Sequence, residues 1–581
     1  MRKSAGTHSS KPRIVILTVL LFVGFVLVAA RLFVLQILSA SFYQAVASGQ
    51  YNFEKTLQPT RGEIKVIDKD TDHPFTVATT IQKQLVYAVP KDVTDPKRAA
   101  EQLAPVLGLD AKDLLEKISG SEKKYVVLKR QLTDEQEQVI KGYNLAGINF
   151  DSEPVRFYPE KNFLSHVLGY VGYKDADRVG RYGLEEYFEN QLKGVTGEIK
   201  QEKDVSGAWI FAGNRDIKPA QDGDTLILTI DRTIQHKAEN IIKDTVSKNQ
   251  ADSGSIVVMN PKTGAVLAIA NYPDFDPNDY NKVEDPSIFV NRAVMGAYEP
   301  GSIFKPLTMA AAINEGKVLP DTTYVDTGVV NIDGYQIQNS DHKAHGKQTM
   351  TQVLEASLNT GAIFAKEQIG NAKFLEYVKN FGFGKETGIE LRESKGNLDN
   401  LKANIAVNFD TASFGQGISV TPLQIVEAYS ALANSGSMVK PFIVQAHVAS
   451  SGKITTTQPE IISRVVSAKT ATTLGGMLVN VVENGHGKKA KVPGFWVAGK
   501  TGTAQVSRKD GKGYEQDINI GSFIGYAPVD KPQFVALVRV NHPRTVQFAE
   551  STAAPAFGEL ASFILNYYNV QPTRDLESKN K

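Results

Sequence analysis

A serine hydroxyl is a weak nucleophile until something takes its proton, and a lysine amine can take it only when neutral. The stretch Tyr298-Glu299-Pro300-Gly301-Ser302-Ile303-Phe304-Lys305-Pro306 carries such a pair, three residues apart. Pro300 and Gly301 break whatever precedes them. Leu307 to Ile313 reads as helix, and Pro306 fits only its first turn, where a missing N–H costs nothing. Ser302, a good N-cap type, then falls at a helix N-terminus with Lys305 on the same face. A hydroxyl beside an amine at the positive end of a helix is one way to build a reactive serine without a histidine.

The spacing alone is not distinctive. Ser-x-x-Lys recurs at Ser121/Lys124, Ser437/Lys440 and Ser450/Lys453, where a solvated surface serine is the simpler reading. Context and two downstream segments set Ser302 apart. Met350 to Glu367 reads as a helix pair containing Ser357-Leu358-Asn359-Thr360-Gly361. Residues two apart do not share a helix face, so Ser357 and Asn359 converge only if a turn breaks the helix there. Ser247-Lys248-Asn249 matches the same pattern, but as a helix end. Further on, Phe495 to Val506 reads as a strand with Lys500-Thr501-Gly502-Thr503 inside it. A glycine within a strand lets a ligand or another backbone approach closely. Thr501 and Thr503 point to one side, so two hydroxyls and an amine could receive a carboxylate. Read in isolation, this segment would be an ordinary sheet edge with solvated threonines. Lys262-Thr263-Gly264 lies in a turn between two apolar strands and is assigned no chemistry.

These segments need a scaffold. The chain has 581 residues, 42% hydrophobic and 22% charged, with net charge +2 and no cysteine. That length implies two or three domains with ample core. The charge gives no sign of nucleic-acid binding. Disulfides, thiolate metal sites and cysteine nucleophiles are excluded. Arg2, Lys3, Lys11 and Arg13 precede an apolar run from Ile14 to Ala30 that resumes from Leu32 to Leu38. As a helix it would be roughly 37 Å long, enough for a bilayer core of about 30 Å. The basic flank places residues 1–13 in the cytoplasm and the remainder outside. A cleaved signal peptide fits less well, because the run is long and Ala29-Ala30-Arg31 is a poor cleavage site.

After a polar continuation and linker (39 to 60), Arg61 to Asp68 alternates like a strand ending in a turn at Lys69 to Thr71. Pro96 to Leu107, Ala111 to Ile118 and Thr133 to Lys141 read as charged helices, and Ile148 to Tyr158 alternates again. Arg181 to Phe188 opens a short helix that stops at Gly194, and Lys203 to Gly207 reads as a hairpin turn. A second composition starts near Asp222. Thr225 to Ile230 is a strand, Asp231 or Thr233 caps a helix to about Lys248, and Ser255 to Met259 pairs with Ala265 to Ala270 through a turn. Ile520 to Ala527 and Gln533 to Val540 are strands, Phe548 to Tyr568 a closing helix, and 571–581 a polar tail.

Taken together, Ser302-x-x-Lys305, Ser357-x-Asn359 and Lys500-Thr501-Gly502-Thr503 resemble the penicillin-binding proteins and serine β-lactamases. The middle motif is Ser-Leu-Asn where Ser-Asp-Asn is also found, a normal class B variation. Arg61-Gly62-x-Ile64, Tyr182-Gly183-Leu184-Glu185, Gly194-x-x-Gly197, Phe414-Gly415-Gln416-Gly417 and Phe523-Ile524-Gly525-Tyr526-Ala527-Pro528 extend the similarity to class B penicillin-binding proteins over nearly the whole chain. Ser357 to Gly361 and Asn380 to Gly384 are more similar to the division (septal) branch than to the elongation branch.

The resemblance implies an α/β (α+β) protein: a transpeptidase domain with an antiparallel sheet and flanking helices (222–570), an elongated mixed pedestal of the class B dimerisation type (39–221), an anchor (14–38), a cytoplasmic tail (1–13) and a polar tail (571–581). It implies Ser302 as acyl acceptor, Lys305 as base, Ser357 as proton relay to the leaving amine, Asn359 holding Lys305 and the substrate amide, and Lys500, Thr501, Gly502 and Thr503 as the carboxylate site. The backbone N–H groups of Ser302 and Thr503 would form the oxyanion hole. The implied substrates are peptidoglycan stem peptides, with β-lactams as inhibitors and no cofactor. The implied partner is a polytopic membrane glycosyltransferase; no oligomeric state follows.

Two other classes share parts of this sequence. A β-lactamase or β-lactam sensor needs a dedicated deacylating base, which is not assignable here, and has no use for the pedestal. A catalytically silent scaffold would not need three intact motifs. His342 and His345 with Asp341 could ligate a metal, but a loop of polar residues is the simpler reading.

Overall fold

The computed structural model of the chain describes residues 11–40, 52–69, 71–120, 125–175, 177–202, 215–508, 513–546 and 548–575. The tail before residue 11, the middle of the linker after the anchor, the Ser121/Lys124 pair, the turn at Lys203 to Gly207 and the end of the polar tail lie outside them. The chain divides into two compact units, Met1–Pro59 with Gly194–Gln221 and Thr60–Lys193 with Asp222–Lys581.

In the first unit, Ile14–Leu38 is a 25-residue helix of mean hydropathy 2.7, none of it buried. Leu, Ile, Val and Phe cover all its faces, and such a helix is at home only in an apolar medium. The unit also holds a three-stranded antiparallel sheet, with Gly197–Glu202 between Asn52–Leu57 and Arg215–Lys218.

In the second unit, five antiparallel strands run in the order Val266–Tyr272, Ser253–Met259, Phe534–Asn541, Tyr514–Ala527, Ala498–Ser507. Side chains alternate along a strand, and here both faces are covered. Ile256, Val258, Phe523, Phe534 and Val538 pack under the helices Arg232–Lys248 and Ala553–Tyr567. Val257, Met259, Ile524, Val535 and Leu537 face the opposite core. That second core takes side chains from the helices Lys305–Asn314, Pro422–Ala433 and Ala468–Glu483. Burying each large side chain contributes ~1.5–3 kcal/mol. The sheet is therefore a two-sided wall whose last strand, Ala498–Ser507, lies at an edge.

The N-terminal part of this unit joins the rest through backbone pairing. Ile64–Asp68 runs parallel to Thr225–Asp231 and antiparallel to Thr71–Ala88 in a seven-stranded sheet. The expected helices are present as Pro96–Leu107, Ala111–Ser119 and Asp134–Gly142, and they share a core with Val86 and Leu128. Thr133 caps the third through a capping box. The closing helix starts at Ala553, later than the expected Phe548. Pro555 explains the delay, since proline is tolerated only in a first turn.

Candidate active site

The Ser302 segment differs locally from its expectation. The regular helix begins at Lys305 with Pro306 in its first turn, and a tighter 3-10 turn, Gly301–Phe304, precedes it. Ser302 lies inside that turn and is not an N-cap; neither junction is closed by a side chain. Its hydroxyl has no hydrogen-bond partner among the described residues, which leaves it available for chemistry.

The turn is fixed by its surroundings. Gly301 has φ +58°, and its N–H donates to the Gly415 carbonyl at 3.0 Å. A Cβ on Gly415 would come within 2.3 Å of the Gly301 carbonyl oxygen, so Phe414-Gly415 must be backbone against backbone. Tyr429 Oη, fully buried, donates to the Ile303 carbonyl at 2.7 Å. Thr308 Oγ1 donates to the Ser413 carbonyl at 2.7 Å. Sequence reasoning missed Tyr429, which sits in a mostly apolar helix that also carries Gln424, Glu427 and Ser430, so no pattern singled it out.

Ser357 sits where the helix pair breaks, between Met350–Glu355 and Asn359–Glu367. Its φ is +57°, an unusual conformation for a residue with a side chain. Two buried amines converge on it. Lys305, 1% exposed, donates from Nζ to the Ser357 carbonyl and, at 3.3 Å, to Ser357 Oγ. Lys500, 0% exposed, donates to Ser357 Oγ at 3.0 Å and to the Thr501 carbonyl at 2.9 Å. Among the described residues neither amine has a carboxylate partner. Burial drives Lys305 well below the ordinary amine value, and the neighbouring Lys500 charge pushes the same way. Burial alone lowers Lys500 to about 7.

The edge strand brings Lys500 to this place. A Cβ on Gly502 would lie 2.9 Å from Ile303 Cγ2 and 3.1 Å from the Pro300 carbonyl oxygen. The strand docks on the serine turn only because residue 502 has no side chain. Thr501 is 7% exposed, while Thr503 is exposed and accepts from the Ala549 N–H at 3.3 Å. Thr501 Oγ1 accepts weakly from Lys500 Nζ at 3.5 Å.

Asn359 is held differently from its expected role beside Lys305. Its Nδ2 donates to the Gln338 carbonyl at 2.7 Å, and its backbone N–H donates to Asn339 Oδ1 at 2.9 Å. Asn339 and Asp326, each 1% exposed, support this helix start. Asn339 Nδ2 and Thr360 Oγ1 donate to Asp326 at 2.9 and 2.8 Å. Asp326 ends the strand Thr323–Asp326 and Asn339 lies in the polar stretch around residue 340; neither place held a pattern to mark them. His345 pairs with Asp341 at 2.9 Å and His342 with Gln338 Oε1 at 2.7 Å. Among the described residues there is no group of three or more side chains arranged to hold a metal.

Hydrogen bonds thus join Lys305, Ser357, Lys500 and Thr501, and close backbone packing joins the Ser302 turn to Gly502 and Thr503. Comparison with known proteins covers a longer span of the chain. The model for the penicillin binding protein transpeptidase domain matches residues 254–562, and that for the penicillin-binding protein dimerisation domain matches 56–228. The chain is 36% identical to Stage V sporulation protein D of Bacillus subtilis, over 96% of this chain and 86% of that protein. It is 28% identical to peptidoglycan D,D-transpeptidase FtsI of Escherichia coli, over 85% and 82% respectively. The crystal structure of penicillin binding protein 3 from Mycobacterium tuberculosis, complexed with ampicillin, superposes with TM-score 0.69 at 27% identity, covering 90% of this chain and 98% of that one. With the serine turn, the lysine pair and the edge strand in place, the chain belongs to the penicillin-binding protein transpeptidase family.

Proposed function

We propose that the chain is a serine D,D-transpeptidase that cross-links peptidoglycan stem peptides during septal wall synthesis. One observation carries the chemistry: Ser357 Oγ is held between two buried amines that lack a counter-carboxylate. An amine in that setting can be neutral near pH 7 and accept a proton.

Ser302 Oγ attacks the carbonyl carbon of the penultimate D-Ala, and its proton passes to neutral Lys305. The oxyanion rests on the backbone N–H groups of Ser302 and Thr503; losing one such donor costs ~3 kcal/mol of transition-state stabilisation. As the C–N bond breaks, Ser357 relays a proton to the departing D-Ala amine. Lys500, Thr501 and Thr503 bind the terminal carboxylate, Gly502 admits the substrate backbone, and Asn359 orients the stem-peptide amide. An amine of a neighbouring stem peptide then attacks the acyl carbon, forms the cross-link and returns the proton to Ser302. A β-lactam acylates the same oxygen and has no leaving group to diffuse away.

The apolar helix anchors the chain in a membrane. The proposed topology puts residues 1–13 in the cytoplasm and both the pedestal (39–221) and the transpeptidase domain (222–570) outside, supported by the basic flank and by the extents of the two family matches. A polytopic glycosyltransferase is the proposed partner. The identity to a protein named for sporulation favours a second reading, wall synthesis in sporulating cells. A fluorescent fusion gathering at the septum of growing cells supports the first; signal confined to sporulating cells supports the second.

The central test labels the full-length protein with a fluorescent penicillin, with and without Ser302→Ala. The expected result is a long-lived adduct that maps to Ser302 and disappears in the variant. Labelling that survives the substitution would sink the assignment, and rapid turnover of the penicillin would favour a β-lactamase.

A further inference from the structure

Away from the lysine pair, aromatic rings and exposed arginines gather around one cavity of about 320 Å³, whose lining includes Tyr170, Arg181, Tyr182, Glu186, Tyr280 and Arg392. That volume is within the range of small-molecule sites. Tyr170 and Tyr280 stack with ring centroids 4.3 Å apart and 10° between their planes, and Tyr182 lies 5.9 Å from Tyr170.

Tyr182 is held under strain. Its φ of 58° and ψ of 169° fall in a region that only glycine occupies readily. The backbone here is pressed against residues 167–169: a Cβ on Gly183 would lie 2.3 Å from the Val167 carbonyl oxygen, and one on Gly169 would lie 2.2 Å from that of Tyr182. Glu185, gripped by Arg61 and Arg156, fixes the turn from below. The run Gly180-Arg181-Tyr182-Gly183 uses glycine on either side but tyrosine at the strained position. Strain that survives in a bulky residue points to a use for its side chain, and here that side chain helps line the cavity.

The charges are also informative. Arg181 and Arg392 are exposed, and neither pairs with a carboxylate among the described residues. Glu186 is already engaged, accepting from the Tyr182 N–H at 2.9 Å. The cavity is therefore walled by tyrosine rings, which pack in turn on Phe275 and Phe289, beside two guanidiniums and one carboxylate. Tyrosine faces pack on the C–H face of a sugar ring, and guanidinium pairs with carboxylate. Peptidoglycan, a glycan bearing acidic peptides, offers both.

We infer that this cavity is a second peptidoglycan site, taking a sugar ring of the glycan strand against Tyr170, Tyr182 and Tyr280 and a stem-peptide carboxylate on Arg181 and Arg392. The inference rests on the function proposed above. The test uses full-length protein in nanodiscs, acylated beforehand with benzylpenicillin so that the catalytic cleft is occupied, and titrates a soluble disaccharide-pentapeptide by calorimetry. Saturable binding is expected, at least tenfold tighter than for the free pentapeptide or for an uncharged chitin disaccharide. Tyr280→Ala and the double variant Arg181→Ala/Arg392→Ala each weaken it at least tenfold while acylation by penicillin keeps its wild-type rate. Tyr182→Gly weakens binding yet raises the unfolding temperature, a combination that a purely structural tyrosine would not give. Absence of saturable binding to the acylated protein, or binding indifferent to Tyr280 and both arginines, overturns the proposal. Failure of penicillin to acylate Ser302 is a different result, and it overturns the transpeptidase reading instead.

Discussion

Two places in the second unit bury a pair of cations, and they solve the problem in opposite ways. Arg61 and Arg156 close on Glu185, which is 0% exposed and accepts from their Nε atoms at 2.7 and 2.6 Å. Burial pushes the Glu185 carboxyl up, but the two guanidiniums outweigh it and leave the pKa below the ordinary value. Lys305 and Lys500 close on a neutral hydroxyl instead. With no anion between them, burial pulls both amines down, and the Lys500 charge adds to the shift at Lys305. Arginine does not lose its proton in a protein, whereas a buried lysine does so readily. The first arrangement is a fixed charge that holds a turn; the second is a store of unstable charge that can move a proton. Residue choice and the presence or absence of one carboxylate separate structure from chemistry.

The largest effect that would break this contrast is expected at Lys305. Lys305→Met removes the base and should slow acylation by penicillin ~10²–10⁴-fold, the usual worth of general base catalysis. It also removes an unpaired buried amine, so stability at pH 7 should be unchanged or higher, as when buried charges give way to apolar groups. Stopped-flow acylation and chemical unfolding measure the two sides; a variant that is both inactive and markedly less stable would place Lys305 with the structural cations. The pH profile sharpens the point. Neutral Lys305 accumulates as pH rises, so acylation climbs, and loss of the Lys500 charge above about 7 weakens carboxylate binding, giving a bell. Both folded amines sit below 10.5. Between about 7 and 10.5 the unfolded chain therefore holds more protons, and stability rises with pH across that window.

At the other pair the sign reverses. Glu185→Ala strands the buried Arg156, which keeps only the Gly62 carbonyl, while Arg61 retains Glu189 at 2.8 Å; leaving a buried charge without its partner costs ~3–5 kcal/mol. The expected outcome is a lower denaturation midpoint with near-normal acylation per folded molecule. Normal stability would mean that water reaches Arg61 and Arg156, and that the buried carboxylate is not what holds this region together.

The sequence conveyed much of this arrangement and left out one kind of information. Ser255–Met259 and Gln533–Val540 were legible as strands because short apolar runs bounded by turn signals suit a sheet buried on both faces. The lysine–glycine strand was legible because Gly502 has a steric reason to be there. Ser302 was placed at the right helix end but in the wrong role, because the tightening of the first turn depends on Gly415 and Tyr429, over a hundred residues away. Asn359 was assigned to Lys305, whereas Asn339 and Asp326 claim its neighbourhood. Supports of this sort are single polar residues in loops, without period or spacing. Tertiary contacts choose them, and local propensity does not register them.

The smallest effect tests whether strain belongs to the catalytic pair alone. Ser357, like Tyr182, holds a positive φ, and a residue with a Cβ is destabilised there by about 1–2 kcal/mol relative to glycine. Ser357→Ala and Ser357→Gly both delete the hydroxyl that Lys305 and Lys500 share, so their acylation defects should match. Only the glycine variant relieves the backbone, so it should be more stable than the alanine variant by ~1 kcal/mol. Thermal unfolding of the two variants side by side isolates this difference, since the lost hydrogen bonds cancel. If alanine proves as stable as glycine, the turn at 357 carries no strain, and the conformation that aims its hydroxyl at the two amines is simply the one the chain prefers.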